Sequence, residues 1–520
     1  MQITALKVHQ WLNKWNSVKF SKNENREKPK EEFLLFTINA GILKKLSKVY
    51  PRRADDLRNI EIGVQRKHDP DRSAEIAQYV HFGYPLSDMP KAQKALKGNE
   101  DLLMPGWLPT AIVANILTAK TERGGKQIKN SDLITILDKN DTAILTLPTS
   151  VSDPKWNPDV PPIEIIDGQH RLWAFQQDDK IANDFDLPVV AFINLDITWQ
   201  AYLFYTINVK PKKINRSLAY DLYPLLRVQE WLEKAPDTAQ VYKETRAQEI
   251  VEILWSFKES PWKDKINLLG DTKKSIAPGR QIPNITQAAY IRNLIATFIK
   301  TSVTKGLGGL FGAKLLDDFN LPLSWNRTQQ ASFIIYIWQK MYQSIKNCKE
   351  PWANSLRRIT KEQQANLFGE KDDFNDLAFT SPFSLITSDQ GVRGFLHVVN
   401  DLVYINSNSL NLRQIKWTLD DGKLEDKVES ADIEKTIKDL FKSELNKFIT
   451  TLCDEIAKFD WRTSSEPNLT ESQRKSHLVF RGSSGYKELR SQLLTMLQNS
   501  RNIQVRESAK KAFQELGYGN

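Results

Sequence analysis

The apolar pattern of this chain changes character once, near residue 215, and that change limits what it can fold into. Before it, short β-rich runs alternate with helical spacing. Phe33–Ile38 predicts a buried strand, and Leu43, Leu46 and Val49 place a helix over Ala40–Val49. Ile60–Arg66 alternates as a strand does. Asp69 is placed to cap the next helix, with Pro70 at its first position and Asp71 complementing its dipole. Ile76, Tyr79 and Val80 form the apolar face of that helix. Further strands are predicted over Ala111–Leu117, Ala143–Leu147 and Leu187–Ile193, with a polar hairpin near Gly124-Gly125 and a helix over Trp199–Asn208. This alternation specifies an α/β domain, taken as 33–216. From Ser217 onward the spacing is that of amphipathic helices, at 218–233, 245–257, 284–300, 327–346 and 432–458, so 217–520 is expected to be mainly α-helical. Ahead of both, 1–21 reads as an amphipathic helix with Leu6, Trp11 and Trp15 on one side, and 22–32 as a charged connector.

Composition narrows the class. A chain of 520 residues is expected to form more than one domain. Its apolar content of 40% and 14 tryptophans supply a core, yet no apolar run approaches the ~20 residues of a membrane span. The N-terminal residues lack a secretory pattern, and a soluble cytoplasmic protein without membrane contact is expected. Cys348 and Cys453 are far apart and outside any CxxC motif, and the histidines show no metal-ligand spacing. The net charge of +10 suits a polyanionic partner but is spread over a large protein.

The local feature that carries chemistry is Asp167-Gly168-Gln169-His170-Arg171, which follows the apolar run Ile163–Ile166 and opens a helix running through Leu172–Gln176. Strand, glycine, then helix start is a phosphate-catching geometry: glycine lets the backbone approach, and the first free N–H groups point at the ligand. His170 and Arg171 add donors there, and Arg grips phosphate with two bonds. The plainer alternative is an Asp-Gly turn with Arg171 as a surface cation. Arg66, at the end of a predicted strand, reaches a second phosphate or forms a surface ion pair. Asn208 bonds a base, ribose or water, or simply ends its helix ahead of Pro211. Lys212, Lys213 and Arg216 form a basic cluster, suited to a nucleic-acid backbone or to solvent. Trp107 and Trp173 lie near the string and could stack on a base, though core packing is the commoner use. The glycine-rich Gly306–Gly312 lacks GxGxxG spacing and a preceding strand, and reads as a loop. No Walker A motif or nucleophile elbow is present.

The five-residue string resembles the DGQHR-domain family, which includes DndB-like proteins of DNA phosphorothioation systems and DpdB-like proteins of DNA 7-deazaguanine systems. Val64-Gln65-Arg66 with Arg72, Ile76 and Tyr79, then Leu203–Asn208 and Pro211–Asn215, are similar to further family elements, and Thr387–Leu396 and Gly482–Leu489 resemble later ones. The resemblance implies a ParB/sulfiredoxin-like core, a mixed sheet with helices, that binds nucleotide. Sulfiredoxins carry cysteine where this chain has Gln169, so sulfinic acid reduction lacks its thiolate. ParB proteins carry glutamate there; Gln169 could instead position a water, with Asp167 or Glu164 binding Mg²⁺. The resemblance implies a DpdB-like, ATP-binding and ATP-hydrolysing component of a DNA modification pathway, with Mg²⁺ as companion, that supports insertion of 7-deazaguanine into DNA. Gly168, Gln169, His170, Arg171, Arg66 and Asn208 would bind nucleotide, and Asp167, Gln169, Arg171 and Arg66 would serve catalysis. Expected partners are double-stranded DNA and a DNA transglycosylase or other modification subunits, with self-association into a homo-oligomer left open. The alternative is a non-catalytic, DNA-binding transcriptional regulator of the DndB type.

Overall fold

The computed structural model describes residues 1–21, 26–50, 68–89, 104–123, 125–176, 179–208, 215–222, 240–271, 283–317, 319–358, 376–419 and 428–518. The chain divides into two units, Met1–Lys213 and Ile214–Asn520. The expected strand over Ile60–Arg66, and with it Arg66, lies outside the described residues, as do Lys212, Lys213 and most of the expected helix at 218–233.

The first unit is built on an eight-stranded mixed sheet. Its strands are β1 (Gln2–His9), β2 (Glu32–Asn39), β3 (Ser47–Lys48), β4 (Ile112–Ile116), β7 (Thr135–Asp138), β8 (Thr142–Thr146), β9 (Ile163–Asp167) and β10 (Asp186–Ile193). The order across the sheet is β3-β9-β4-β10-β2-β1-β8-β7. The β3–β9 and β4–β10 pairs are parallel and the others antiparallel. A separate small hairpin joins β5 (Glu122–Arg123) to β6 (Lys126–Gln127) beside Gly125, which has φ 71°.

The N-terminal segment departs from expectation. Residues 2–9 are a strand rather than part of a helix, and β1 lies inside the sheet between β2 and β8. The governing period is two: Ile3 and Ala5 point into the core while Leu6 is exposed. Backbone pairing on both sides overrides the helical spacing of Leu6, Trp11 and Trp15. Trp11 and Trp15 pack edge to face just beyond, around a short 3₁₀ turn over Asn13–Ser17. Residues 1–32 are therefore not an appendage; their strand completes the sheet.

Helix α1 (Ala40–Leu46) follows β2 directly, with the Asn39 carboxamide accepting from the amides of Gly41 and Ile42. Helix α2 (Pro70–Phe82) starts as its sequence dictates: Asp69 accepts from the amides of Asp71 and Arg72, and Pro70 occupies the first turn. Helix α3 (Gln169–Trp173) continues into a 3₁₀ turn over Ala174–Gln176, and α4 (Ile197–Asn208) follows β10. The core joins Phe36 and Ile38 of β2, Ile112 and Ile116 of β4, Ile163 and Ile165 of β9 and Val189 of β10 to Leu43 and Leu172 from the helices.

The second unit is helical. Its main helices are α5 (Gln240–Ser256), α6 (Gln287–Ala296), α7 (Arg327–Asn347), α8 (Asp389–Ile405), α9 (Ser430–Lys442), α10 (Leu445–Ile456), α11 (Gly485–Leu497) and α12 (Ile503–Leu516). The single helix expected over 432–458 is two, α9 and α10, because Ser443 is extended and its hydroxyl caps the Leu440 carbonyl. Helix α7 is buried on nearly every face, with Phe333, Ile334, Ile335, Tyr336, Ile337 and Trp338 in succession, as befits a central helix. Asn326 and Gln329 close a reciprocal capping box at its start.

Candidate functional site

Strand β9 brings the Asp167–Arg171 string to the surface end of the sheet. A bulge between β4 and β9 pairs Val113 with Asp167 and Ala114 with Ile165, which turns the strand end outward. Gly168 then adopts φ 95° and ψ 12°, a left-handed conformation that disfavours any side chain. A Cβ there would stand 2.6 Å from Ile112 Cδ1 and 3.0 Å from Arg171 Nη2. The space that a side chain would take at Gly168 is filled by Ile112 and by Arg171 folding back.

Arg171 is held on three bonds. Its Nη1 donates to the Thr110 carbonyl at 2.6 Å and to the Thr110 hydroxyl, and its Nη2 donates to Asp167 Oδ2 at 2.9 Å. Asp167 Oδ1 accepts from Asn208 Nδ2 at 3.0 Å, and the same amide donates to the Phe204 carbonyl at 3.1 Å. Asn208 is thus the last residue of α4 and ties that helix to the strand end. The Asp167 and Arg171 side chains each keep 18% exposure. Burial is the largest influence on the Arg171 guanidinium and lowers its pKa; Asp167 opposes this, and the neighbouring Arg72 cation adds to it. Arg72 itself is exposed in the first turn of α2.

The Gln169 and His170 side chains are buried. The Ser73 hydroxyl lies 2.8 Å from His68 Nε2 and 3.5 Å from His170 Nδ1, and the two imidazole rings stack at 5.5 Å. His68 also packs against Trp173. This cluster fastens α2 to α3. Neither His68 nor Ser73 carries a sequence signal beyond its place beside the Asp69 cap. Trp107 is exposed.

Glu164, one of the two carboxylates considered for Mg²⁺ or for polarising water, belongs to a different network. Its buried carboxylate accepts from Arg123 Nε at 2.5 Å and Nη2 at 3.0 Å, from Asn115 Nδ2 at 3.1 Å and from Gln200 Nε2 at 3.0 Å. Asn115 Oδ1 in turn accepts the Leu195 amide at 2.7 Å. These bonds lock β4, β9 and the start of α4 together. Among the described residues no group of three or more His, Cys, Asp or Glu side chains is placed to hold a metal ion.

Residues 25–227 match the model of the DndB family, described as DNA-sulfur modification-associated. Neither the curated proteins nor the solved structures contain a match to this chain. No described helix is long and apolar enough to cross a membrane.

Proposed function

We propose that this chain is a DNA-contacting component of a DNA-modification system of the sulfur type, acting as a regulator rather than a catalyst. The observation that carries the reading is the engagement of the string's own side chains. Arg171 is bonded to Thr110 and Asp167, His170 and Gln169 are buried, and Glu164 is saturated by four donors. Arg72 is exposed at this corner beside exposed Asp69, Asp71 and Glu75, and Arg171 is paired with Asp167, so the charge argument rests on the whole chain. Its net +10, with a family match to DNA-sulfur modification, suits the phosphate backbone of duplex DNA. A ParB/sulfiredoxin-like core and further modification subunits as partners belong to the same reading.

Fluorescence anisotropy of a labelled duplex, titrated with the full chain over a salt series, tests it. Binding should weaken linearly in log–log form, and Arg72→Ala should reduce the slope by about one. Binding that is absent at low salt, or indifferent to salt, would remove the proposal.

A second reading, nucleotide hydrolysis, is favoured by the left-handed Gly168 at a strand end and by the surface access left to Asp167 and Arg171. In it, Gly168, Arg171 and Arg66 would face the phosphates of ATP, and Asp167 would hold the accompanying Mg²⁺. Hydrolysis would then support insertion of 7-deazaguanine with a transglycosylase partner. Against it, Arg171 is already engaged by Thr110 and Asp167. Phosphate release from Mg-ATP separates the two readings.

A further inference from the structure

Two sequence segments that the first unit does not use meet in the second. Thr387–Leu396 leads into and forms the start of α8, and Gly482–Leu489 leads into α11. The Gln390 carboxamide oxygen accepts the Tyr486 amide at 3.1 Å, and the Arg393 guanidinium lies 3.6 Å from the centroid of the Tyr486 ring. Gly394 makes room for Leu489, since a Cβ there would come within 2.6 Å of Leu489 Cδ2. The other face of this arrangement is His397, whose ring stacks on Tyr486 at 5.5 Å with 13° between planes.

His397 borders a cavity of about 210 Å³, together with Lys300, Lys305, Asp401, Arg490 and the glycine-rich turn around Gly308. Gly308 is required by space: a Cβ would stand 2.9 Å from Tyr404 Oη and 2.6 Å from Ala313 Cβ. The charges around the cavity do not balance. Arg490 is paired with the buried Asp401, Nε donating to Oδ2 at 2.7 Å, so those two cancel. Lys300 has no ion pair among the described residues; its ammonium has only the Leu307 carbonyl, at 3.4 Å. Lys305 donates to the Leu516 carbonyl at 3.2 Å. Glu515 lies beside Gly306 of the same turn. His397 Nε2 is buried and has no hydrogen-bond partner among the described residues.

We propose that this cavity is an oxoanion site, which takes inorganic phosphate or the terminal phosphoryl group of a nucleotide between Lys300, Lys305, His397 and Arg490. A partly buried Lys300 without an ion pair, and a buried imidazole nitrogen without a partner, are unfavourable until an anion supplies acceptors. The size agrees. About 210 Å³ is several waters' worth but falls short of the ~300 Å³ at which pockets begin to enclose whole drug-sized ligands. Burial lowers the Lys300 pKa, and burial followed by Arg490, Arg393 and Lys300 lowers that of His397. A bound anion would push both back up, which couples binding to proton uptake.

The test is calorimetric titration of the full chain with sodium phosphate and, separately, with ADP, each at constant ionic strength set with chloride. Saturable phosphate binding is expected, weakened at least about tenfold in Lys300→Gln and in His397→Gln, the loss of one charge-assisted hydrogen bond. If ADP binds and competes with phosphate, the ligand is a nucleotide's phosphoryl group; if only phosphate binds, it is the free ion. Either outcome supports the site. Lys300 is only half-buried, so Lys300→Gln should melt like the parent chain without ligand and gives a result even if His397→Gln folds poorly. No saturable binding of either probe, or binding unchanged by Lys300→Gln, would overturn the proposal. The DNA reading of the first unit stands or falls independently.

Discussion

Replacing Arg171 with alanine distinguishes a structural clamp from a ligand site. The guanidinium bonds the Thr110 carbonyl at 2.6 Å, the Thr110 hydroxyl, and Asp167 at 2.9 Å. Hydrogen bonds involving a charged group contribute roughly 1.5–3 kcal/mol each, so a plain sum overstates the effect at about 4–9 kcal/mol. Two features reduce it. Asp167 and Arg171 keep 18% exposure, so water can re-solvate the groups left behind, and Asn208 stays on Asp167. An expected cost of about 2–3 kcal/mol remains, and at 1.4 kcal/mol per decade that is roughly 30- to 100-fold in a local opening constant. Hydrogen exchange of peptides covering Ile163–Trp173 reads this directly and confines the measurement to the first unit, where a global melt of two units would blur it. Arg72→Ala, exposed and repelled by Arg171, should leave the same peptides within about 0.5 kcal/mol of the parent. If Arg171→Ala exchanged at the parent rate, the three bonds would not be holding this corner, and the structural account of the string would be wrong.

Other consequences are open to direct measurement. Glu164→Gln leaves Arg123 without its carboxylate and should destabilise the first unit by about 2–4 kcal/mol, seen as faster exchange in β4 and β9; a neutral result would contradict the lock described for Asn115, Arg123 and Gln200. Gly168→Ala meets both a left-handed backbone and Ile112, and should cost about 2–4 kcal/mol, whereas Gly125→Ala meets only the backbone penalty of roughly 1–2 kcal/mol. In the second unit, burial would lower the His477 pKa, but Asp460 and the Arg462 carbonyl outweigh it, and the net value is raised above the ordinary 6.5. Its stabilisation is therefore complete below that value and fades as pH rises through the folded pKa; melting temperatures across about pH 6–8 should fall in the parent chain and flatten in His477→Gln.

Much of the first unit was legible because its signals are local. Asp69, Pro70 and Asp71 mark the start of α2 by capping chemistry alone, and the apolar runs of β2, β4, β8, β9 and β10 appear as strands. β1 was misread as helix because Leu6, Trp11 and Trp15 share a helical spacing, while the period-two burial of Ile3 and Ala5 becomes visible only once β2 and β8 flank it. β7 was missed for a related reason: an edge strand with mostly exposed side chains has little hydrophobic pattern to show. At the site, the sequence located the string and the turn but not the direction of its side chains. Thr110, the acceptor that draws Arg171 back, lies 61 residues away along the chain, and Arg123, Asn115 and Gln200 reach Glu164 from three separate elements. Long-range pairings of that kind leave no spacing to read. The carboxylate that looked available for a metal was instead the centre of a buried hydrogen-bond network.

We propose that the Asp167–Arg171 corner, held by its own contacts, turns over no nucleotide. Its most direct test is release of inorganic phosphate from Mg-ATP by the full chain with duplex DNA present, compared with Arg171→Ala. The account predicts a rate for the parent chain equal to the protein-free control, and no further change on substitution. Steady DNA-dependent phosphate release by the parent chain, lost in Arg171→Ala, would contradict it.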